Sequence, residues 1–407
     1  MKHPRFGKYL VKRILQLGLT LSIIHYPLSI TKAQTLSPSA KVSLLTIGPG
    51  EELYSSFGHS SLWISDPATG LDRNYNYGSF NFKTDNFYVK FLRGKLPYQI
   101  AVYSLALEMP YWQAENRSIT EQELNLSLAQ KQRLCDLLET NYLPQNREYA
   151  YKFFYDNCST RLRDMLQAAC SDSLQFSNQT VAKNGDTRSY RDWMNDYLKA
   201  KPWARLGMNI AIGLPSDRHA TPAEEMYLPN NLKDQTAKAK LGNSLLAKQE
   251  QKLFEARAPE KEPFWTVFYT PSAVFAYLFF LIMWLTIKKP TVSLARFDKL
   301  FFGFIGFCGC FVLLLWVGTD HGVTNWNQNL LWLMPLHLPF AFMLGKPKFD
   351  AILRPYVLTC LVLCMLAFVA CIIGFLNETQ WIPISTLFFF PLLINRLEMA
   401  RKKIERG

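Results

Sequence analysis

The chain has 407 residues, 49% of them hydrophobic and 19% charged, and a formal net charge of +13 at pH 7. The excess lies at the two ends, because residues 1–33 hold six basic and no acidic residues and residues 264–407 hold 12 basic and six acidic ones, whereas residues 34–263 hold 27 basic and 26 acidic ones. Positive charge beside apolar segments reflects membrane orientation, so the composition argues against a nucleic-acid-binding surface.

The first 33 residues have the pattern of a secretory signal peptide. Basic residues precede an apolar run from Ile14 to Ile30, and cleavage is predicted near Ala33. Lys32 beside the cleavage point and His25 within the run leave an uncleaved N-terminal anchor as the alternative. In both cases the segment that follows is exported.

Residues 34–231 are predicted to form one exported α+β domain. Apolar and alternating runs separated by Gly, Asp and Pro predict strands, and periodic leucines predict a helix. The predicted strands are Lys41–Ile47, Ser60–Ser65, Arg73–Tyr77 and Tyr98–Ser104, and the predicted helices run from about Ser127 to Tyr142 and onward from Asn157. This pattern predicts a helix packed on an antiparallel sheet. Residues 201–229 are predicted to form a surface excursion or a lid, and the charged residues 232–263 a connecting arm.

Cys158 is the candidate nucleophile. It follows a turn and opens an amphipathic helix, where unpaired backbone N–H groups and the helix dipole favour a thiolate. A free cysteine on a helix more often packs as a small hydrophobe. However, a thiol that attacks an acyl group needs an imidazole base, and His59 is the only histidine in residues 34–218. Asn74 or Asn76 on the neighbouring strand is predicted to orient the imidazole, unless both are merely exposed polar residues.

Four short motifs occur in order along this domain. They are Phe57-Gly58-His59, Tyr75-Asn76-Tyr77-Gly78, Pro144-Gln145-Asn146-Arg147-Glu148-Tyr149 and Asp156-Asn157-Cys158-Ser159-Thr160-Arg161. With these motifs, roughly residues 40–230 resemble the bacterial family named after the N-terminal periplasmic domain of the Lnb-type lipoprotein N-acyltransferases. The resemblance continues into the membrane region.

That family is in turn similar to circularly permuted papain-like thiol enzymes such as lecithin-retinol acyltransferase, in which the histidine strand precedes the cysteine helix, as it does here. The resemblance implies this fold for the exported domain. It implies catalytic roles for Cys158 and His59, and an orienting or substrate-positioning role for Asn157. Gln145 stands where the family usually has an acidic residue, a departure that affects positioning more than chemistry.

Residues 264–407 are predicted to form a helical membrane domain of about five spans. The apolar runs cover about residues 265–287, 300–318, 330–345, 355–376 and 381–395, and the third and fifth are short for the roughly 20 residues that cross a bilayer. Lys and Arg lie between spans one and two, between three and four, and after five, whereas the loops 319–329 and 377–380 contain neither. The positive-inside rule therefore predicts that these loops are outside and that the C-terminus is cytoplasmic.

The outer loop 319–329 is unusually polar. Its composition alone is typical of a hydrated turn, but the family resemblance includes a similar histidine and asparagine loop. On that basis His321, Asn325 and Asn327 are predicted to position substrate, and not to act in the nucleophilic step.

Two classes of function fit these observations. The resemblance implies a membrane-anchored acyltransferase, in the bacterial inner membrane, that moves a fatty acyl chain through a Cys158 thioester to the N-terminal amine of a lipoprotein. Its partners would be lipoproteins and membrane lipids. The alternative is a periplasmic cysteine peptidase or amidase acting on cell-wall or other amides. The chain has no phosphate loop and no zinc-like cysteine spacing, so no cofactor is predicted; a disulfide between Cys135 and Cys170 and the oligomeric state stay open.

Overall fold

The computed structural model describes residues 35–81, 83–183, 185–258, 263–288, 295–376 and 382–406. The predicted signal peptide or anchor and the predicted outer loop 377–380 lie outside the described residues.

A seven-stranded antiparallel sheet forms the centre of the exported domain. Its strands are β1 Lys41–Ile47, β2 His59–Asp66, β3 Leu71–Ser79, β4 Pro97–Tyr103, β5 Ile119–Glu123, β6 Glu148–Ala150 and β10 Gln251–Phe254, in the order β10-β5-β1-β2-β3-β4-β6. A small second sheet pairs β7 Leu174–Gln175, β8 Lys240–Leu241 and β9 Ser244–Leu245. The four strands predicted from the sequence are confirmed as β1 to β4, and the antiparallel sheet with helices is confirmed with them.

Seven α-helices accompany these sheets in the described part of the exported domain. They are α1 Phe87–Leu92, α2 Leu105–Ala114, α3 Leu128–Tyr142, α4 Cys158–Cys170, α5 Tyr190–Tyr197, α6 Pro202–Ala211 and α7 Pro229–Lys238. The two predicted helices are confirmed as α3 and α4. Leu162, Leu166 and Ala169 of α4 recur at helical spacing and are buried in one cluster with Leu44 of β1 and Tyr75 of β3. Burial of each leucine stabilises this packing by about 1.5–3 kcal/mol.

The prediction of a connecting arm over residues 232–263 is wrong for most of that segment. Residues 229–254 are part of the exported domain, because Leu232 and Leu246 are fully buried in its core and β10 pairs with β5. The arm was predicted from its charged residues, but in α7 Leu232, Gln235 and Thr236 are buried whereas Lys233, Asp234 and Lys238 are not. Residues 201–229 likewise contain α6 and two 3-10 helices, Leu214–Asp217 and Glu225–Tyr227, instead of an irregular excursion.

Three helices in the described part of the membrane domain are long and apolar enough to cross a bilayer: Pro271–Lys288, Ala295–Val317 and Pro347–Gly374. They correspond to the predicted first, second and fourth spans, and α8 Pro271–Lys288, α9 Ala295–Val317 and α11 Asp350–Leu376 are the helices concerned.

The predicted third and fifth spans have a different form. The third is a 3-10 turn, Gln328–Leu331, followed by the seven-residue helix α10 His337–Met343, since Pro335 and Pro339 restrict the backbone there. At the fifth, α12 Phe389–Arg406 begins and ends later than the predicted run, and its Arg396 is buried against Asp298 of α9 at 2.7 Å. Five crossings therefore stay a prediction.

The loop 319–329 attaches the exported domain to the membrane domain. The Gly213 N–H donates to the Val323 carbonyl at 2.7 Å, and the Asn329 amide donates to the Asn209 carbonyl at 3.1 Å. A Cβ atom on Gly213 would lie 1.9 Å from the Asn325 carbonyl oxygen, so only glycine fits at this contact. Val323 is buried in a cluster with Tyr190 and other residues of the exported domain. The exported domain is thus docked on the outer end of the membrane helices.

Candidate active site

Cys158 is the first residue of α4 and is held there by the side chain of Asn157. The Asn157 Oδ1 atom accepts from the N–H groups of Ser159 and Thr160, each at 3.0 Å, and the Thr160 hydroxyl accepts from the Asn157 N–H at 2.8 Å. The Asn157 amide also donates to the Tyr227 carbonyl at 2.8 Å. Asn157 is therefore the N-cap of α4, so its observed contacts place the cysteine instead of reaching toward a substrate.

His59 is the first residue of β2 and faces Cys158 where the sheet opens. The β2–β3 pairing begins only at Leu62 and Tyr75, so the first residues of β2 pair with β1 but not with β3. Gly58 precedes the histidine with a φ of 79°, and a Cβ atom there would lie 2.8 Å from the Ile47 carbonyl oxygen. The glycine of the Phe57-Gly58-His59 motif is thus needed for the turn that aims the imidazole.

The Cys158 thiol and the His59 imidazole form a hydrogen-bonded pair. Burial alone would raise the pKa of Cys158, but the charge of His59, the hydrogen bond with it and the Ser60 N–H together lower that pKa. Burial alone would lower the pKa of His59, but Cys158 and the hydrogen bond that His59 donates to Asn76 raise it. Both shifts favour a thiolate beside an imidazolium, which is the reactive form of a thiol nucleophile.

A chain of hydrogen bonds fixes which ring nitrogen faces the thiol. The Asn76 amide nitrogen donates to both carboxylate oxygens of Glu108, each at 2.8 Å, so its Oδ1 atom points at His59. That oxygen accepts from His59 Nε2 at 2.9 Å. Because Nε2 must then carry the proton, Nδ1 is left to interact with the Cys158 thiol. The tautomer needed for a base is therefore set by Asn76 and, through it, by Glu108.

Of the two asparagines predicted to orient the imidazole, Asn76 contacts it and Asn74 does not. Asn74 is fully buried and donates to Glu108 at 2.7 Å, so it holds the carboxylate in place. Burial raises the pKa of Glu108 despite these two amide donors. Sequence reasoning missed Glu108, because the helix α2 that carries it was not predicted and an isolated acidic residue gives no signal of its partner.

Arg161 explains the end of the cysteine motif. Its guanidinium makes two hydrogen bonds to Asp156, at 2.6 and 2.8 Å, and lies 3.6 Å from the ring centroid of Tyr149. A Cβ atom placed on Gly78 would lie 4.0 Å from the Tyr149 hydroxyl and 3.9 Å from the Cys158 Cβ atom, so Tyr149 and Cys158 border the same space. Asp156 and Arg161 thus clamp the turn before α4 and fix one wall of the site. Gln145 is exposed.

The predicted outer-loop residues make docking contacts in the structure. His321 bonds the Leu92 carbonyl through Nε2 at 2.9 Å, and the Asn327 amide donates to the Ile210 carbonyl at 2.7 Å. Asn325 supplies the carbonyl that packs against Gly213. These contacts bring the loop to the exported domain but do not connect it directly to Cys158. A substrate-positioning role for the three residues stays a prediction.

The remaining thiols of the exported domain differ from Cys158. Cys135 and Cys170 are both free and buried, and burial raises the pKa of each to about 11. Neither has an imidazole that offsets burial, so both are unreactive packing residues.

Comparison with protein-family models gives two matches. Residues 28–195 match the Lnb N-terminal periplasmic domain, and residues 262–403 match the Lnb transmembrane domain. The chain belongs to the Lnb family. The resemblance drawn from its motifs is confirmed. The prediction of a membrane protein with a periplasmic domain is confirmed as well. Comparison with curated proteins and with solved structures finds no match.

We predict that Cys158 keeps its reactivity below the ordinary thiol pKa of about 8.5, because its thiolate is stabilised by His59. The rate of its alkylation by iodoacetamide, followed by the mass of the Cys158 peptide, should reach half its maximum at a lower pH than this. In His59→Ala the midpoint should move up, since burial then acts without the imidazolium. An unchanged midpoint in His59→Ala would contradict the pairing.

We predict that Glu108→Ala also raises this midpoint, because the Asn76 amide loses its acceptor and can turn its nitrogen toward His59. The wrong imidazole tautomer should slow Cys158 alkylation near neutral pH by about tenfold or more. Gln113→Ala is the matched control, since Gln113 lies on the same helix and is exposed. Equal pH profiles for Glu108→Ala and the control would show that Glu108 has no positioning role.

Proposed function

We propose that this Lnb-family member is a thiol acyltransferase that moves a fatty acyl chain to the N-terminal amine of a bacterial lipoprotein. The observation that carries the proposal is the hydrogen-bonded set Cys158, His59 and Asn76 in a domain docked on the outer end of membrane helices. Such a set supplies a nucleophile, a base and an orienting group. Docking holds the nucleophile beside lipid esters, which lowers the entropic cost of the encounter.

The chemistry needs only groups of this site. The Cys158 thiolate attacks the carbonyl carbon of a lipid ester; as the carbon–oxygen bond breaks, the departing alkoxide takes a proton from the His59 imidazolium. The product is a Cys158 thioester. The lipoprotein amine then attacks this thioester, His59 takes the amine proton, and the thiolate leaves. The first N–H of α4, on Cys158 itself, is our assignment for a donor to the oxyanion of both steps, since Asn157 occupies the next two.

The proposed ancestry of this site is a circularly permuted papain-like fold. Its support is the order of the elements, in which the histidine strand β2 precedes the cysteine helix α4, and the packing of α4 on the antiparallel sheet. Asn76 lies on β3, the strand beside β2, and takes the orienting role.

A cysteine peptidase or amidase is the second candidate, because the same thiol and imidazole would attack an amide. The extensive docking through loop 319–329 favours the acyltransferase, since a tethered hydrolase has no need of a rigid contact with its membrane helices. The two candidates differ in their products.

We predict that cells carrying Cys158→Ser or His59→Ala lose one N-acyl chain from lipoprotein N-terminal peptides in intact mass analysis, while the protein still accumulates in the membrane. Loss of a general base lowers the rate by about a hundredfold or more. Cys170→Ser is the matched control and should keep the chain. An N-acyl chain that persists in Cys158→Ala refutes the proposal, and altered wall peptides in its place support the hydrolase.

We predict that the protein lies in the inner membrane, with the exported domain and loop 319–329 on the periplasmic side and the C-terminus in the cytoplasm. The prediction follows from the one-sided distribution of Lys and Arg. A cysteine placed at Asn81, which is exposed in the exported domain, should react with an impermeant thiol reagent in intact cells. One placed at Gly407 should react only after permeabilisation. Labelling of the Gly407 site in intact cells would exclude five crossings.

A further inference from the structure

We propose that a row of aromatic side chains leading from Cys158 to α1 is the binding site for the acyl chain of a glycerolipid in the adjacent leaflet. The row consists of Tyr151, Tyr98, Phe80, Phe87 and Phe91. The inference rests on the proposed acyl transfer and adds to it the place where the chain lies.

The inner end of the row lies at the nucleophile. Gly78 has a φ of 95°, and a Cβ atom on it would be 3.8 Å from Tyr151 and 3.9 Å from the Cys158 Cβ atom. The glycine therefore leaves a space that Tyr151 and Cys158 both border. Burial and then the negative charge of Cys158 raise the pKa of Tyr151, in agreement with this position of the phenol near the thiol.

The rings follow one another without a break. Tyr151 stacks on Tyr98 at a centroid distance of 4.4 Å, and Phe80 lies 5.3 Å from Tyr98. Phe87 lies 5.9 Å from Phe80 and 6.3 Å from Phe91. None of the five is fully buried, so each keeps an apolar surface that a chain can cover. A row that served only as core would be closed by its own packing.

The outer end of the row lies at the level of the membrane surface. The helix α9 ends at Val317, and the loop that follows it binds the carbonyl groups at the end of α1: Asp320 N–H donates to Arg93 and His321 Nε2 bonds Leu92, both at 2.9 Å. This contact fixes α1 within a few residues of the end of a membrane helix.

The surface of α1 has the chemistry of an interfacial segment. Tyr88, Val89 and Phe91 are 81%, 57% and 54% exposed, and Lys90 and Arg93 lie among them. Exposed aromatic side chains with flanking basic residues favour the headgroup region, where the cations meet lipid phosphates. The glycerol ester of such a lipid lies just below the headgroups. The row thus runs from the depth of the ester to the thiolate.

The test measures alkylation of Cys158 and so needs no acyl transfer. The full-length protein in lipid nanodiscs is treated with N-ethylmaleimide or N-dodecylmaleimide, and the mass of the Cys158 peptide gives each rate. Phe80→Ala and Tyr98→Ala should lower the ratio of the dodecyl to the ethyl rate by about five- to tenfold, since each removes an aromatic contact with the long chain. The ethyl rate should stay as in the wild type.

Tyr103→Ala is the matched control, because Tyr103 lies on the same strand as Tyr98 and is 53% exposed away from the row. It should keep the wild-type ratio, and partition of the long reagent into the bilayer is the same for every variant. Tyr98→Leu, which should keep most of the ratio, covers the case in which an alanine variant fails to fold. Unchanged ratios in both alanine variants, or an equal fall in Tyr103→Ala, overturn the inference. A chain-length preference without lipoprotein N-acylation would retain the row and refute the proposed function.

Discussion

The N-cap of α4 is the interaction on which the site depends. Asn157 binds the N–H groups of Ser159 and Thr160 with its oxygen and the Tyr227 carbonyl with its nitrogen. One amide therefore fixes both where the helix starts and where it stands against residues 225–227. Any shift in this cap moves Cys158 away from His59, which lies on the part of β2 that does not pair with β3. Loss of an N-cap of this kind lowers the free energy of unfolding by about 1 kcal/mol. A displaced nucleophile lowers the reaction rate by more than this value suggests, because the rate depends steeply on the distance between the reacting atoms.

The polarity of the hydrogen-bond chain is set at its far end. Glu108 can only accept when ionised, so Asn74 and Asn76 must both donate to it, and the orientation of Asn76 then decides the His59 tautomer. The carboxylate never touches the thiol. Burying the Glu108 carboxylate is unfavourable, because burial raises its pKa. The hydrogen bonds from Asn74 and Asn76 partly offset this increase. An uncharged residue at position 108 would leave the imidazole free to choose either tautomer.

The parts of this arrangement that depend on local sequence patterns could be predicted from the sequence. The apolar run Lys41–Ile47 and the leucine period of α3 define their elements wherever they pack, and the helix-start cysteine and strand-start histidine define their own chemistry. Glu108 could not be predicted, because its role follows from the pairing of β3 with β4 and the return of α2 beside it. The third and fifth spans were predicted from hydropathy alone, which does not register that Pro335 shortens the helix of one or that the helix of the other continues past its apolar run through buried Arg396.

Rigid docking distinguishes this protein from an enzyme on a tether. The Asn329 amide and the Gly213 N–H join α6 and the segment after it to the membrane loop, and His321 joins α1 to the same loop from the other side. With two anchor points, the exported domain cannot rotate freely above the bilayer. The opening between β2 and β3 then keeps one height over the membrane surface. In the proposed acyl transfer the thiolate must reach an ester at a fixed depth, so a constant height matters more than reach. His321 and Asn327 of the loop supply attachment contacts that hold this height.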